Sequence, residues 1–529
     1  MNSFIDIKRR KFLQYAGIGT ATMALAPNWL WAGAGPKNNA YLFSNPDVEI
    51  RMTAQVTKTS ILSGPPTEVW KFSATLLKGP QGTVEEIPGS YLGPILRLRQ
   101  GQKVRIHFHN KVPGPCVIHQ HGLHVPERSD GHPRYAIDQG QTYSYDFQVL
   151  NRAGTYWYHS HTHQYTGHRV YFGLAGLLLV SDQEERALNL PSGDYEIPLV
   201  IQDRQFGQQN ELHYTRGMHE RMAGFLGNRI LVNGFPDFEL PVAARAYRLR
   251  ILNGSNSRIY KLAWSDGTPV TVIASDGGLL EKPERYPYVT LAPAERIELW
   301  VDFGGRKVGS EIKLQSLPFS GTMPRMGGGM GGRGHGRGRH GHGGDSALPN
   351  GADFSIMKVQ VVRKENENQK LPRRLSTIRN YQMQEAENPD HPRTIHLSMR
   401  PHSPRLNGRS FSMTAVAEEE GVKLDSLQLI EFVNRDRRAR GMMMAHPMHI
   451  HGQPFQILRR EVLPAFQQSY TTLSKGFINS GWRDTVLVMP GEKVTLLKPF
   501  EDYEGLFLYH CHNMEHEDLD MMRNFQVRA

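Results

Sequence analysis

Along most of the chain apolar and polar residues change places every one or two positions, in short runs broken by Gly, Pro and Asn. That pattern predicts strands, whose successive side chains point to opposite faces. Examples are "KVRIHFHN" at 103–110, "YRLRILNGS" at 247–255 and "KVTLLKPF" at 493–500. No long segment carries a helical period, so an all-β chain of sandwiches or barrels is expected. At 529 residues the chain exceeds one hydrophobic core, and roughly two to four domains are expected.

A weak internal repeat refines this. "HQHG" (119–122) is followed by "GTYWYHSH" (154–161), and "HIHG" (449–452) by "GLFLYHCH" (505–512), while the middle of the chain has neither. Three similar sandwiches follow, the first and last keeping the histidines and the second serving as a spacer. One stretch stands apart, "GTMPRMGGGMGGRGHGRGRHGHGG" at 321–344, too rich in glycine for a packed core. Its methionines and histidines suit transient capture of copper ions; a plain surface loop is the competing reading.

Composition changes the picture in two places. Two cysteines exclude a disulfide framework, so each has its own explanation. At the N-terminus "KRRKFLQ" sets Arg9 and Arg10 ahead of an apolar stretch from about Phe12 to Trp31, with Ala32-Gly33-Ala34 after it. Residues 1–34 resemble a twin-arginine export signal, which implies the export machinery as partner and the periplasm as destination. An N-terminal membrane anchor is the alternative, and Thr, Asn and Gly interrupt the run it would need. The formal charge of +11 belongs partly to that segment, and an exported chain meets little nucleic acid. No other segment is apolar enough to span a bilayer, so no stable membrane insertion is expected once the signal is removed.

The chemistry concentrates in His-x-His. On a strand this spacing puts two imidazoles on one face, suited to one metal or a close pair. Four such pairs occur: His119/His121, His159/His161, His449/His451 and His510/His512. If His510 and His512 face one way, Cys511 faces the other, into the last sandwich. With His446, His516 and Met521 nearby in sequence, a Cys, two His and a weak Met become available, the ligand set of a blue-copper electron-transfer centre.

The ordered motifs "HQHG", "HSH", "HPMHIHG" and "HCHNMEHEDLDM" resemble those of three-domain multicopper oxidases, laccases and periplasmic cuprous oxidases among them. The resemblance implies three cupredoxin-like Greek-key sandwiches, at 42–183, 184–363 and 391–529 with a linker at 364–390, and four coppers in a monomer. Type 1 copper would be held by His446, Cys511, His516 and axial Met521, and type 2 copper by His119 and His449. The type 3 pair would be held by His121, His159, His161, His451, His510 and His512, between the first and third domains. Four one-electron oxidations of a donor would then reduce O2 to water, with Glu517 in "HCHxxxHE" and Asp130 in "VPERSDGHP" as proton relays.

The donor is less legible. Met442, Met443 and Met444 run into His446, and thioethers suit cuprous ions. The periplasmic cuprous oxidases read Asp-Met-Met-Leu-His there, so Met444 matches a substrate-copper methionine and Met442 replaces the aspartate. Their methionine-rich third-domain insertion is short here, which favours phenols and aromatic amines. Cu(I) oxidation in copper tolerance, a general laccase, and a copper-sequestering or cell-division scaffold protein are the competing functions. His163 reads as a neighbour of the metal ligands, Cys116 as a small buried residue, and His124, His132 and His168 as ordinary polar contacts.

Overall fold

The computed structural model of the chain describes residues 42–215, 217–323, 347–365, 369–400, 403–436 and 443–529. The paired-arginine segment, nearly all of the 321–344 stretch and Met442 lie outside them. The described chain forms six sheets, which pair into three cupredoxin-like sandwiches.

In the first, Thr67–Lys78, Val48–Thr59, Lys103–Asn110 and Thr142–Gln148 make one sheet; Val84–Glu85, Ile95–Arg99, Ala175–Ser181, Gly154–Ser160 and Ile118–His121 make the other. Each sheet contains one parallel pair, Val48–Thr59 with Lys103–Asn110 and Ile95–Arg99 with Ala175–Ser181. Parallel neighbours cannot be joined by a hairpin, so the chain crosses between sheets, as a Greek key does. The second sandwich repeats the scheme with Glu196–Arg204 beside Ala246–Asn253 and Glu239–Ala244 beside Phe354–Lys364. The third repeats it with Arg393–Arg400 beside Ser426–Val433 and Gly421–Lys423 beside Met522–Arg528.

The alternation read from sequence sets the cores. Val104, Ile106 and Phe108 of "KVRIHFHN" meet Val48, Ile50 and Met52 inside the first sandwich. Each such side chain taken fully out of water contributes about 1.5–3 kcal/mol. In Ala246–Asn253 the period holds but the polar face is not solvated: every residue of the strand is buried. Arg250 donates to Glu298 at 2.6 Å and to Glu185 at 2.9 Å, and Thr155 of the first sandwich donates to Glu298 at 2.8 Å. The polar stripe is a covered contact between sandwiches, its charges paired as burial requires.

Candidate metal centres

Strand Gly505–Cys511 lies antiparallel to His446–Ile450, with Cys511 opposite Met448 and His510 opposite His449. Side chains therefore leave this pair of strands in two directions. Cys511 and Met448 enter the third core together with Met521. His449 and His510 leave by the other face, toward the first sandwich, where Ile118–His121 pairs with Gly154–Ser160 and sets His119 opposite His159.

On the core side the donor atoms of His446, Cys511 and His516 lie within 4.8 Å of one another, and all three residues are buried. Cys511 Sγ is 3.5 Å from His446 Nδ1 and 3.7 Å from His516 Nδ1. The helix Met514–Asp518 presents His516, and the side chain of Asn513 caps that helix by accepting from the His516 amide. His516 Nε2 donates to the carbonyl of Met222 at 3.0 Å, which leaves Nδ1 as the lone pair facing the sulfur. The backbone of Met521 bonds both ligand residues, accepting from Cys511 N at 3.0 Å and donating to His516 O at 2.9 Å. Burial pushes the Cys511 thiol up, with a backbone bond near Asn513 opposing, and holds the His516 imidazole down at about 4.

On the other side eight buried histidines converge, four from each of two sandwiches. Their donors form three groups within 4.8 Å: His121, His159 and His512; His161, His451 and His510; and His119, His121 and His449. His119 stacks on His451 with centroids 3.9 Å apart, and His121 on His449 at 3.8 Å, so each stack joins the first sandwich to the third. His510 and His512, which flank Cys511, go to different groups.

The protons on these rings test what the cluster can hold. His449 Nδ1 donates to Asp484 O at 2.8 Å, His159 Nδ1 to Ser160 O at 3.0 Å and His510 Nδ1 to Cys511 O at 3.2 Å. His119 Nδ1 donates to Asp130 O and His451 Nδ1 to Asp130 Oδ2, at 2.5 and 2.6 Å. Each of these imidazoles therefore turns an unprotonated Nε2 inward. Nε2 of His451 and Nε2 of His510 stand 3.2 Å apart, lone pair against lone pair. Nε2 of His119, His159 and His449 have no protein partner. Burial holds His119 and His451 well below their ordinary range, and His159 at about 3. Neutral imidazoles steered by outer carbonyls and carboxylates, with facing lone pairs, form a cation-binding arrangement. His121 is reversed: Nε2 meets Asp484 Oδ1 at 3.1 Å, and Nδ1 is the free atom.

Two carboxylates border the cluster. Glu517 places Oε2 3.2 Å from His510 Nδ1 and Oε1 3.7 Å from His161 Nδ1. Burial opposes its ionisation, but the His161 and His510 imidazoles outweigh that and hold the carboxyl well below its usual range. Asp130, fully buried, has Oδ1 3.7 Å from His119 Nδ1 and without a hydrogen bond, and burial pushes its carboxyl well up against the pull of Lys498.

The remaining expectations divide. Met444 is 3% exposed, and its carbonyl accepts from Asn434. Cys116 is buried, its sulfur 3.6 Å from Ser160 Oγ. His163 pairs with Asp520 at 3.0 Å, His124 with Asp502 at 2.9 Å and His132 with Asn524 at 3.0 Å. His168 makes an aromatic contact instead of a polar one, stacking on Phe172. The spacer reading of the second sandwich needs correcting. Its Arg296 binds both oxygens of Asp484, and its Met222 carbonyl holds His516. Its Asn256 and Phe225 bond Glu515 beside that histidine. Sequence reading missed Asp484, Arg296 and Glu515. For Asp484 and Arg296 the available signal was a set of charges beside or inside an apolar run, "RDTVLVM" and "ERIELWV".

Two sequence profiles of the family described as "Multicopper oxidase" match residues 68–185 and 376–529. The crystal structure of McoA multicopper oxidase from Aquifex aeolicus is 31% identical, covers 94% of this chain and 100% of that one, and superposes with a TM-score of 0.74. A laccase of Bacillus stratosphericus is 27% identical over 88% of this chain and 91% of the relative. The cell division protein FtsP of Edwardsiella tarda is 33% identical over 61% of this chain and 65% of the relative.

Proposed function

The chain belongs to the multicopper oxidase family, and from that premise we propose that it takes single electrons from a donor at a type 1 copper and delivers four to O2, giving two waters, at a trinuclear copper centre. As a family member it is an oxidoreductase with copper cofactors. In this reading His446, Cys511 and His516 hold the type 1 copper with Met521 axial. His119 and His449 hold the type 2 copper. One type 3 copper falls to His121, His159 and His512, the other to His161, His451 and His510, which brings the total to four per chain. Bound copper supplies reversible one-electron chemistry at both centres.

The observation that carries the proposal is the two-way exit of side chains from Gly505–Cys511. Cys511 reaches one set of ligands and its neighbours His510 and His512 reach the other, so only covalent bonds of three consecutive residues separate the two centres. We assign proton transfer to Glu517, supported by its separations of 3.2 Å from His510 Nδ1 and 3.7 Å from His161 Nδ1. To Asp130 we assign the holding of one, supported by its bond to His451 and by an Oδ1 that makes no hydrogen bond. The arginine pair ahead of the N-terminal apolar stretch supports a periplasmic site.

For the donor we favour Cu(I), in copper tolerance, because two thioethers, half-buried Met443 and buried Met444, directly precede His446 in the chain. The likeness to a laccase supports phenols as the second reading. The likeness to a cell division protein weighs less, since every ligand position here is filled and buried. Oxygen consumption by copper-loaded protein, with Cu(I) and then a phenol at matched concentration, separates the donors. A preference for Cu(I) that is lost in Met444→Ala supports the first; equal or faster phenol turnover defeats it.

A further inference from the structure

The second sandwich supplies none of the clustered ligands among the described residues, yet one of its side chains reaches beneath them. Arg296 is fully buried at the start of strand Arg296–Asp302. Its Nη1 and Nη2 donate to the two carboxylate oxygens of Asp484, at 2.7 and 2.5 Å. Its Nε donates to the carbonyl of Thr155 at 2.9 Å, and Nη2 also to the carbonyl of Asp276 at 3.1 Å. One guanidinium therefore touches all three sandwiches. Asp484 in turn receives His121 Nε2 on its carboxylate and His449 Nδ1 on its carbonyl.

A second feature converges on the same spot. Gly122, the glycine of "HQHG", has φ +84°, and a Cβ there would stand 2.5 Å from Asp484 Oδ2 and 2.7 Å from Arg296 Nη2. The glycine beside His121 clears space for the ion pair as well as adopting a left-handed backbone.

We propose that Arg296 is a positioning residue for the trinuclear centre. By gripping both oxygens of Asp484 it fixes the carboxylate plane, which holds His121 as the Nε2–H tautomer with Nδ1 turned inward and sets the pitch of His449. A two-pronged grip does this where a point charge does not, because the fork matches a carboxylate in direction as well as charge. The inference rests on the copper reading of these histidines.

The test compares Arg296→Lys and Arg296→Met with Arg248→Met, an equally buried arginine that joins Glu298 and Glu185 and touches no ligand. The copper-loaded proteins are examined without donor or turnover, so an inactive wild type would defeat the proposed function and not this inference. Arg296→Lys should keep the thiolate-to-copper absorption of the Cys511 centre, alter the type 2 EPR spectrum, and release trinuclear copper to a chelator about 10–100-fold more readily. Arg296→Met should do so more strongly; should it fail to fold, the lysine variant carries the test. Arg248→Met should lower the melting temperature and leave the EPR spectrum unchanged. The inference is overturned if Arg296→Lys keeps the wild-type spectrum and chelator resistance. It is equally overturned if all coppers loosen together, the pattern of general loss of packing.

Discussion

The Cys511 centre takes its three donors from one sandwich, and the histidine cluster takes four from the first and four from the third. One is a product of local folding: two paired strands and a capped five-residue helix bring His446, Cys511 and His516 together. The other is a product of assembly, complete only when two sandwiches dock. The contrast teaches how one family of sites divides its labour. The Cys511 set draws all its donors from one fold unit and borrows only a carbonyl, that of Met222, from the second, whereas the eight histidines depend on stacked imidazoles across a seam and on a guanidinium from a third unit.

The sharpest break is Cys511→Ser. Donor oxidation should fall by well over about 100-fold, since even outer partners of metal ligands carry roughly 10–100-fold, while the type 2 EPR signal persists; loss of both signals would deny that the two centres are built separately. Next is Glu517→Gln, expected to slow oxygen reduction by about 100-fold at saturating donor, in the range of a proton-transfer residue, with the Cys511 absorption intact. An unchanged rate would remove Glu517 from the proton path. Stripping copper by dialysis should then lower thermal stability by about 3–4 kcal/mol for each ion held near 100–1,000 times its dissociation constant. Limited proteolysis should find the new cuts at the seam between first and third sandwiches rather than inside the second. Cuts confined to the second sandwich would contradict the assembly view.

The smallest effect concerns pH. His132 of the first sandwich bonds Asn524 of the third, and burial, opposed by that bond, lowers it from 6.5 to about 4. Between those values the unfolded chain binds the proton and the folded chain does not, so this contribution is complete above about pH 6.5 and is lost as pH falls toward 4. Metal-free protein should therefore lose stability over that window, and His132→Gln should shallow the slope of melting temperature against pH. A slope unaltered by the substitution would remove His132 from the account.

Much of this was legible from period and spacing. Alternation gave "KVRIHFHN" as a strand, observed as Lys103–Asn110, and "KVTLLKPF", observed within Glu492–Phe500. Alternation along His510-Cys511-His512 put Cys511 and its flanking histidines on opposite sides because a strand has only two faces. What stayed hidden depends on which surfaces meet. Arg248 and Arg250 alternate like solvated residues yet are buried, and Arg250 reaches Thr155 of the first sandwich. Arg296 and Asp484 are far apart in sequence and carry no motif, and Met222 contributes a carbonyl, which no side-chain pattern announces. Pairings between domains are fixed by tertiary docking, and a periodicity read along one chain does not contain them.

The bond from His516 to the Met222 carbonyl closes off the imidazole, and neither His446 nor His516 has exposed surface. If the site takes electrons as proposed, a reductant arriving from outside would meet a peptide group before it meets the ring. Transfer across such a barrier falls off with separation and follows driving force, so molecules of unlike shape qualify provided they come close and give up an electron readily. Under the proposed function, selectivity would then reside in the surface around Met222, which can be resurfaced without touching a single ligand.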